Sequence, residues 1–242
     1  MSIATDLLAM YYAQNLDTMP KPIIYYPLNE VLTTLPTGQN VTITGSNYEP
    51  ATYQGIQCMK FTQPGNTATW FDVETTLKLY REAWKGTVSF WMAKQGFASD
   101  SREGFFFKVS SSAFNSYGSW FGVRKTSGGP FACVTYAATQ SGAVGLIERT
   151  DENFHNVVLL CECAAGWEKS SWSCSVYVDG VYAGQTSLAS VTNSAISHVS
   201  IGTRTTNAAT TGTAYYAGLR IYNKHLTQDE ITTLANEFTP TA

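Results

Sequence analysis

The 242-residue chain is poor in charge. Asp, Glu, Lys and Arg supply 14% of its residues, with a net charge of −3, whereas about one quarter of a typical soluble domain is charged. Lysine and arginine are scattered, and Arg124-Lys125 is the only adjacent basic pair. Nucleic acids and anionic membranes bind concentrated basic surfaces, so the composition argues against both as partners.

Export and membrane signals are also missing from the sequence. No Lys or Arg precedes Lys21, Asp6 interrupts the first apolar residues, and no apolar run has the length needed to cross a membrane. We therefore expect neither a secretory signal nor a membrane anchor, and we expect synthesis in a cytoplasm.

The cysteine pattern favours neither a disulfide framework nor a zinc site. Their number is odd, five in all. Cys161 and Cys163 lie two apart on a predicted strand, so their side chains point the same way, and Cys-x-Cys without a second pair is poor zinc spacing. We expect buried free thiols in a reducing compartment. A disulfide between Cys58 and one of the others is the alternative.

Signatures of catalysis and of metal binding are absent. Retaining glycosidases need two carboxyls about 5–5.5 Å apart, and no predicted strand carries alternating acids, since Glu162 stands alone on its strand. His155, His198 and His225 share no metal-ligand spacing, and neither a nucleophile elbow nor a phosphate-binding loop occurs. The sequence therefore predicts a protein that is not an enzyme and holds no cofactor or metal.

The clearest positive signal is a hairpin at Asp179-Gly180. This dipeptide lies between two β-rich runs and favours a type I′ turn, which needs positive φ at both central residues. A two-residue loop also fixes the register of the strands. The predicted pairs are Val178–Val181, Val176–Ala183 and Tyr177–Tyr182.

The end of the chain predicts a short docked helix. Thr227 and Glu230 have the spacing of a capping box, and Leu226 and Ile231 that of a hydrophobic staple. An apolar stripe follows at helical spacing, formed by Ile231, Leu234, Ala235 and Phe238.

Between these landmarks the pattern is one of strands and turns. In the segment from Thr87 to Met92, apolar residues alternate, which is typical of a sandwich strand. Residues 75–84 are ambiguous and could form a short helix. Further strands are predicted at Ile23–Leu28, Val41–Thr44, Gln57–Thr62, Thr67–Val73, Thr87–Lys94, Phe105–Ser110, Trp120–Arg124 and Phe131–Tyr136.

Six segments occur in a characteristic order: Tyr25-Tyr26-Pro27-Leu28, Gly86 to Met92, Phe154-His155-Asn156-Val157, Tyr177-Val178-Asp179-Gly180, Ile201-Gly202 and Gly218 to Ile231. In this order they resemble the laminin-G-like members of the concanavalin A-like lectin/glucanase superfamily. The family often has Trp where this chain has Phe154, a conservative difference. The resemblance implies an all-β, two-sheet antiparallel jelly-roll sandwich that binds glycans or proteins through rim loops.

We predict two parts of the chain. Residues 1–22 form a short amphipathic helix and a proline-containing connector, and residues 23–242 form the jelly roll. The helix either packs on its own sandwich or serves as a docking or oligomerisation segment, which would make the protein a homo-oligomer or part of a larger assembly.

Candidate ligand-binding residues are aromatics in polar segments and polar residues of the long loop at 203–213. Aromatic faces stack on sugar rings, although a Trp in a sandwich can equally belong to the core. Relatives sometimes hold calcium, but Asp72 and Asp100 lack a cluster of oxygen ligands, so no metal site is carried over. The predicted residues are Tyr117, Trp120, Trp167, Trp172, Arg204 and Asn207.

These features predict a non-catalytic recognition and assembly domain. A jelly roll with free thiols, low charge and no export signal resembles phage virion components such as fibres, tail adhesins or capsid decoration proteins, with a glycan or protein partner. The alternative is a bacterial surface or secreted carbohydrate-binding module, and a glycoside hydrolase is the third hypothesis.

Overall fold

The fold is all-β with one short helix in the described part of the chain. The computed structural model describes residues 19–26, 43–44, 48–63, 69–72, 84–95, 103–109, 119–125, 131–137, 140–147, 151–163, 170–191, 196–203 and 212–237. The strands are β1 (Ile24–Tyr26), β2 (Ile43–Thr44), β3 (Tyr48–Tyr53), β4 (Ile56–Gln63), β5 (Thr69–Asp72), β6 (Trp84–Gln95), β7 (Glu103–Val109), β8 (Ser119–Lys125), β9 (Phe131–Ala137), β10 (Gln140–Ile147), β11 (His155–Cys163), β12 (Ser170–Val178), β13 (Val181–Val191), β14 (Ile196–Thr203) and β15 (Gly212–Tyr222), and the helix is α1 (Gln228–Ala235).

The strands form two antiparallel sheets. The first has the order β13-β12-β11-β6-β15-β4-β3, with β1 also paired to β15, and the second has the order β10-β9-β8-β7-β14-β5-β2. Strand β13 packs against β9 and β10, so the sheets meet along that side. This arrangement confirms the predicted two-sheet jelly-roll sandwich.

Strand β6 lies near the centre of the first sheet and is buried on both faces. Val88, Phe90 and Met92 share one face, as predicted, and are at most 1% exposed. Ser89 and Trp91 share the other face and are also buried. A half-exposed strand would leave the second face in water, but here Thr87 is hydrogen-bonded to the segment before α1. Trp91 packs in a cluster with Tyr53 and Ile56 of the β3–β4 hairpin. We call this second face the outer face.

Helix α1 docks on the outer face through the predicted stripe. The Thr227 side chain accepts a hydrogen bond from the Glu230 amide at 3.3 Å, and the Glu230 carboxylate accepts one from the Thr227 amide at 2.6 Å. Burial acts to raise the pKa of Glu230, but the hydrogen bonds from Lys224 and Thr227 outweigh it and lower that pKa. Leu226 and Ile231 share one buried cluster with Val158, Tyr222 and Leu234. The capping box and the staple are confirmed, and Phe238 lies outside the described residues.

The end of α1 is tied to β15 by a buried ion pair. The Arg220 guanidinium binds the Glu237 carboxylate through two parallel contacts of 2.5 and 2.6 Å. These side chains are only 1% and 3% exposed. The Arg220 guanidinium carbon also lies 5.3 Å from the centre of the Tyr25 ring, on β1. One buried side chain therefore connects β15, β1 and the segment that follows the helix.

The predicted hairpin is present, with one difference in register. Asp179 and Gly180 have φ of 51° and 79°, as a type I′ turn requires. Val176 pairs with Gly184 rather than with Ala183. The predicted Val176–Ala183 pair is wrong because a β-bulge leaves Ala183 as an extra residue, and Gly184 accommodates the distortion with φ of 141°.

Other sequence predictions have mixed outcomes. Strands β3 and β10 were not predicted. Cys58, Cys161 and Cys174 are buried thiols that are not joined in disulfides, which confirms the prediction for these three. Residues 1–18, which include the predicted helix, and residues 75–83 lie outside the described residues. None of the helices among the described residues has the length and apolar character needed to cross a membrane.

Candidate functional site

Two tyrosines stack on the outer face, at the side of the sheet formed by β3 and β4. Tyr53 ends β3 and Tyr215 lies in β15, and their rings are 4.0 Å apart and almost parallel, with an angle of 4°. Phe154 packs against Tyr53 with its centroid at 6.0 Å in a T-shaped arrangement. Tyr215 is 7% exposed and Tyr53 is partly exposed. Tyr53 is therefore the aromatic ring of this stack that a ligand can reach.

Exposed amide side chains surround the tyrosine pair. The Tyr215 hydroxyl donates to the Gln95 side-chain oxygen at 3.0 Å, and the Gln54 amide nitrogen donates to the Asn153 side-chain oxygen at 3.1 Å. Gln54, Gln95 and Asn153 are all exposed. We call the set of Tyr53, Gln54, Gln95, Asn153 and Tyr215 the tyrosine platform.

The platform is electrically neutral. Burial, followed by the nearby Glu152 carboxylate, raises the pKa of Tyr53, and burial also raises the pKa of Tyr215, so both phenols stay protonated. Beside them, Lys60 contacts Glu49 at 2.7 Å, and this hydrogen bond raises the pKa of Lys60. The platform side chains are therefore uncharged groups that can donate and accept hydrogen bonds, and the charges beside them are the Glu152 carboxylate and the Lys60–Glu49 pair.

The turns that build the platform follow from local sequence. Gln54 and Gly55 form a second hairpin turn with φ of 50° and 78°, so Tyr53 lies directly opposite Ile56. The loop before β11 supplies the other polar contacts. The Tyr53 hydroxyl donates to the Glu152 carbonyl at 3.3 Å, and Asn153 donates its amide hydrogen to the Asp151 carboxylate at 2.9 Å.

His155 anchors that loop to the Asp179-Gly180 hairpin. Its Nδ1 lies 2.8 Å from the Asp179 carboxylate and its Nε2 lies 2.9 Å from the Asp151 carboxylate. The other carboxylate oxygen of Asp179 accepts from the Asn156 amide at 3.0 Å, and the Asp179 amide donates to the Asn156 carbonyl at 2.9 Å. Asp179 therefore holds both the turn and the start of β11.

We expect Asp179→Ala to lower the free energy of unfolding by about 3 kcal/mol, since it removes two hydrogen bonds to a charged acceptor. Asp179→Asn should cost about half as much, because an amide oxygen can still accept from Asn156 and Asn tolerates positive φ. Urea denaturation measures these values. The control is Glu49→Ala, at a 62% exposed side chain outside this network. Equal losses at Asp179 and Glu49 would contradict the anchoring role.

Glu162 and His225 both make contacts that hold parts of the fold together. Glu162, which stands alone in the sequence pattern, contacts Lys85 at 2.8 Å. Of the histidines, His225 places its Nε2 2.9 Å from the Cys161 carbonyl, which ties the segment before α1 to β11. Within the described residues, no group of three or more His, Cys, Asp or Glu side chains could hold a metal ion.

The residues predicted from sequence do not belong to the platform. Trp120 and Trp172 lie within strands β8 and β12 rather than in loops. Tyr117, Trp167, Arg204 and Asn207 lie outside the described residues. A ligand-binding role for these six residues stays a prediction.

Sequence reasoning missed the platform, although one signal for it existed. Gln54-Gly55 separates two β-rich runs and is a weaker form of the dipeptide signal seen at Asp179-Gly180. Recognising it would have predicted β3 and placed Tyr53 at a hairpin end. Nothing in the sequence indicates that Tyr215 stacks on Tyr53, because the two residues meet only through the strand order.

Solved structures of similar fold include binding domains. Domain 4 of AbnA, an extracellular GH43 arabinanase from Geobacillus stearothermophilus in complex with arabinotriose, matches with a TM-score of 0.62 and 16% identity, over 89% of this chain and 98% of that one. The binding domain of botulinum neurotoxin DC matches in complexes with rat synaptotagmin II (TM-score 0.58) and with SialylT (TM-score 0.57), both at 12% identity.

The neurotoxin matches cover 89% of this chain but 51% of those chains, so this chain spans about half the length of those binding domains. At these identities the likeness concerns the fold alone. No curated protein sequence matches the chain. A laminin-G-like family model, described as the concanavalin A-like lectin/glucanases superfamily, matches residues 66–232. Because this match covers more than half of the sequence, the chain belongs to the concanavalin A-like lectin/glucanases superfamily.

Proposed function

We propose that the chain is a non-catalytic recognition domain that binds neutral glycans at the tyrosine platform. The observation that carries this proposal is the partly exposed Tyr53 ring, held by the stack with Tyr215 and surrounded by exposed amides. Sugar rings have apolar faces that pack on aromatic rings, and their hydroxyls pair with amide side chains. A stacked ring is also already ordered, so little conformational entropy is lost on binding.

The charge distribution favours a neutral ligand. Both phenols are protonated, and Lys60 beside them is paired with Glu49. A sulfated or sialylated glycan would gain no unpaired cation among the platform residues. AbnA domain 4 supports a neutral ligand, because it is in complex with arabinotriose, whereas the complex of a neurotoxin binding domain with SialylT supports only the wider class of glycans. A protein partner is the competing reading, as a neurotoxin domain is in complex with synaptotagmin.

A glycan array tests the proposal. We expect binding to neutral oligosaccharides, weakened at least about 10-fold by Tyr53→Ala, since truncating a central aromatic contact costs about 2 kcal/mol or more. Gln54→Ala and Gln95→Ala, at exposed positions, should each weaken binding several-fold. The matched control is Tyr182→Ala, because Tyr182 is a 54% exposed tyrosine on the Asp179-Gly180 hairpin.

Circular dichroism and thermal melting must show that each variant is folded. Equal binding by wild type and Tyr53→Ala would contradict the location of the site. Loss of binding in Trp120→Ala or Trp172→Ala alone would favour the rim residues predicted from sequence. No binding across a broad array would contradict glycan recognition and favour the protein partner.

We propose that this domain is part of a phage virion, as a fibre, a tail adhesin or a capsid decoration protein. Low charge, three buried thiols outside disulfides and the all-β sandwich support this proposal. Genomic neighbourhood tests it. Adjacent virion structural genes are expected, whereas adjacent glycan-utilisation genes would favour a bacterial carbohydrate-binding module.

A further inference from the structure

Two buried cysteines face each other across neighbouring strands of the first sheet. Cys161 on β11 and Cys174 on β12 are direct partners in the antiparallel register. Their sulfur atoms lie 3.8 Å apart, and the residues are 0% and 2% exposed. Cys58, the other cysteine whose side chain the structure describes, lies instead in the outer-face cluster around Tyr215.

The register places this pair where the strands approach most closely. The Asp179 amide donates to the Asn156 carbonyl, so these two residues occupy a hydrogen-bonded position of the β11–β12 pair. Hydrogen-bonded and non-hydrogen-bonded positions alternate along antiparallel strands. In this register the Cys161–Cys174 pair is separated from the Asn156–Asp179 pair by an odd number of positions. It is therefore a non-hydrogen-bonded pair. At such positions the Cα atoms are about 4.5 Å apart, which is within the range that disulfides span.

We propose that Cys161 and Cys174 are an oxidation site that forms a disulfide between β11 and β12 when a small peroxide reaches the fold. One thiolate attacks the peroxide oxygen, which gives a sulfenic acid and water. The second thiolate then attacks that sulfur and displaces a second water. Two thiols lose two electrons and two protons, and hydrogen peroxide becomes two waters.

The surroundings of the pair determine what the cross-link does. Leu159 and Val176, next along β11 and β12 on the same face, are fully buried, so the cross-link forms inside the sandwich. A domain made with free thiols would then acquire a covalent connection between two core strands after leaving a reducing compartment. Because a disulfide restricts the unfolded chain, the oxidised form should unfold at a higher temperature.

Cys58 supplies the matched control. It is as buried as the pair, but it lies in the outer-face cluster and not beside Cys161 and Cys174. Cys58→Ser should therefore oxidise like the wild type. Cys161→Ser should form no such cross-link, because Cys174 then lacks its partner.

The experiment treats the reduced full-length chain with hydrogen peroxide and maps disulfides by peptide mass spectrometry, with fragment ions that separate Cys161 from Cys163. We expect a Cys161–Cys174 link in the wild type and in Cys58→Ser, with a raised Tm in both. A link through another cysteine, or no link when the unfolded chain oxidises under the same conditions, would overturn the proposal. If Cys161→Ser does not fold, the disulfide map of the wild-type chain alone decides the outcome. An unchanged Tm of the oxidised wild-type chain would contradict the stabilising role of the cross-link.

Discussion

Replacing Glu237 with alanine is expected to lower the free energy of unfolding by about 3–5 kcal/mol, because it leaves the Arg220 charge buried without its carboxylate partner. Arg220 is only 1% exposed and cannot turn to water without breaking the packing of β15 and β1. Glu237→Gln should cost less, since the amide oxygen still accepts one hydrogen bond. Chemical denaturation with a check that the m value is unchanged measures both effects.

Two controls separate the cost of a lone charge from the contribution of the pair. Glu49→Ala breaks the exposed ion pair with Lys60, and should cost at most about 1 kcal/mol. The double variant Arg220→Met with Glu237→Leu removes both charges and should be more stable than Glu237→Ala. A loss for Glu237→Ala no larger than that for Glu49→Ala would contradict the account of a buried pair.

Truncating Ile231 to alanine is expected to lower the free energy of unfolding by about 2–5 kcal/mol, as for other buried Ile side chains. Ile231 is 1% exposed and packs with Val158 and Tyr222 on the outer face. An eight-residue helix has little stability of its own, so the lost contacts should also free α1 from the sheet. Hydrogen exchange of the α1 amides measures that release directly.

Thr233→Ala provides the control on the same helix. The Thr233 hydroxyl donates only to the Asp229 carbonyl within α1, and alanine has the higher helix propensity. Its effect should stay within about 0.5 kcal/mol. If Ile231→Ala and Thr233→Ala have equal effects, docking of the stripe does not stabilise the fold.

The parts of the fold that follow local rules could be predicted from sequence. The Asp179-Gly180 turn and the Thr227–Glu230 capping box depend on the backbone preferences of a few adjacent residues, and both are present. The register error at Ala183 shows the limit of this reasoning. A bulge changes the pairing by one residue while the sequence continues to alternate, so the pattern alone does not reveal it.

The candidate site could not be predicted from the sequence for a different reason. Tyr53, Asn153 and Tyr215 come from distant parts of the chain and meet because β4 joins β3 to β15, while the anchored loop before β11 reaches across. Strand order is not encoded in local patterns. The sequence-based choice of Trp120 and Trp172 relied on residue type in polar segments, and both residues lie in strands, as the sequence predicted for Trp120.

The most direct test of glycan recognition at the tyrosine platform is a two-dimensional NMR titration of the labelled chain with the neutral oligosaccharide that binds best in the array. Chemical-shift changes should concentrate at Tyr53, Gln54, Gln95, Asn153 and Tyr215, and should disappear in Tyr53→Ala. Changes confined to residues such as Tyr117, Trp167, Arg204 and Asn207, with the platform unaffected, would contradict the account.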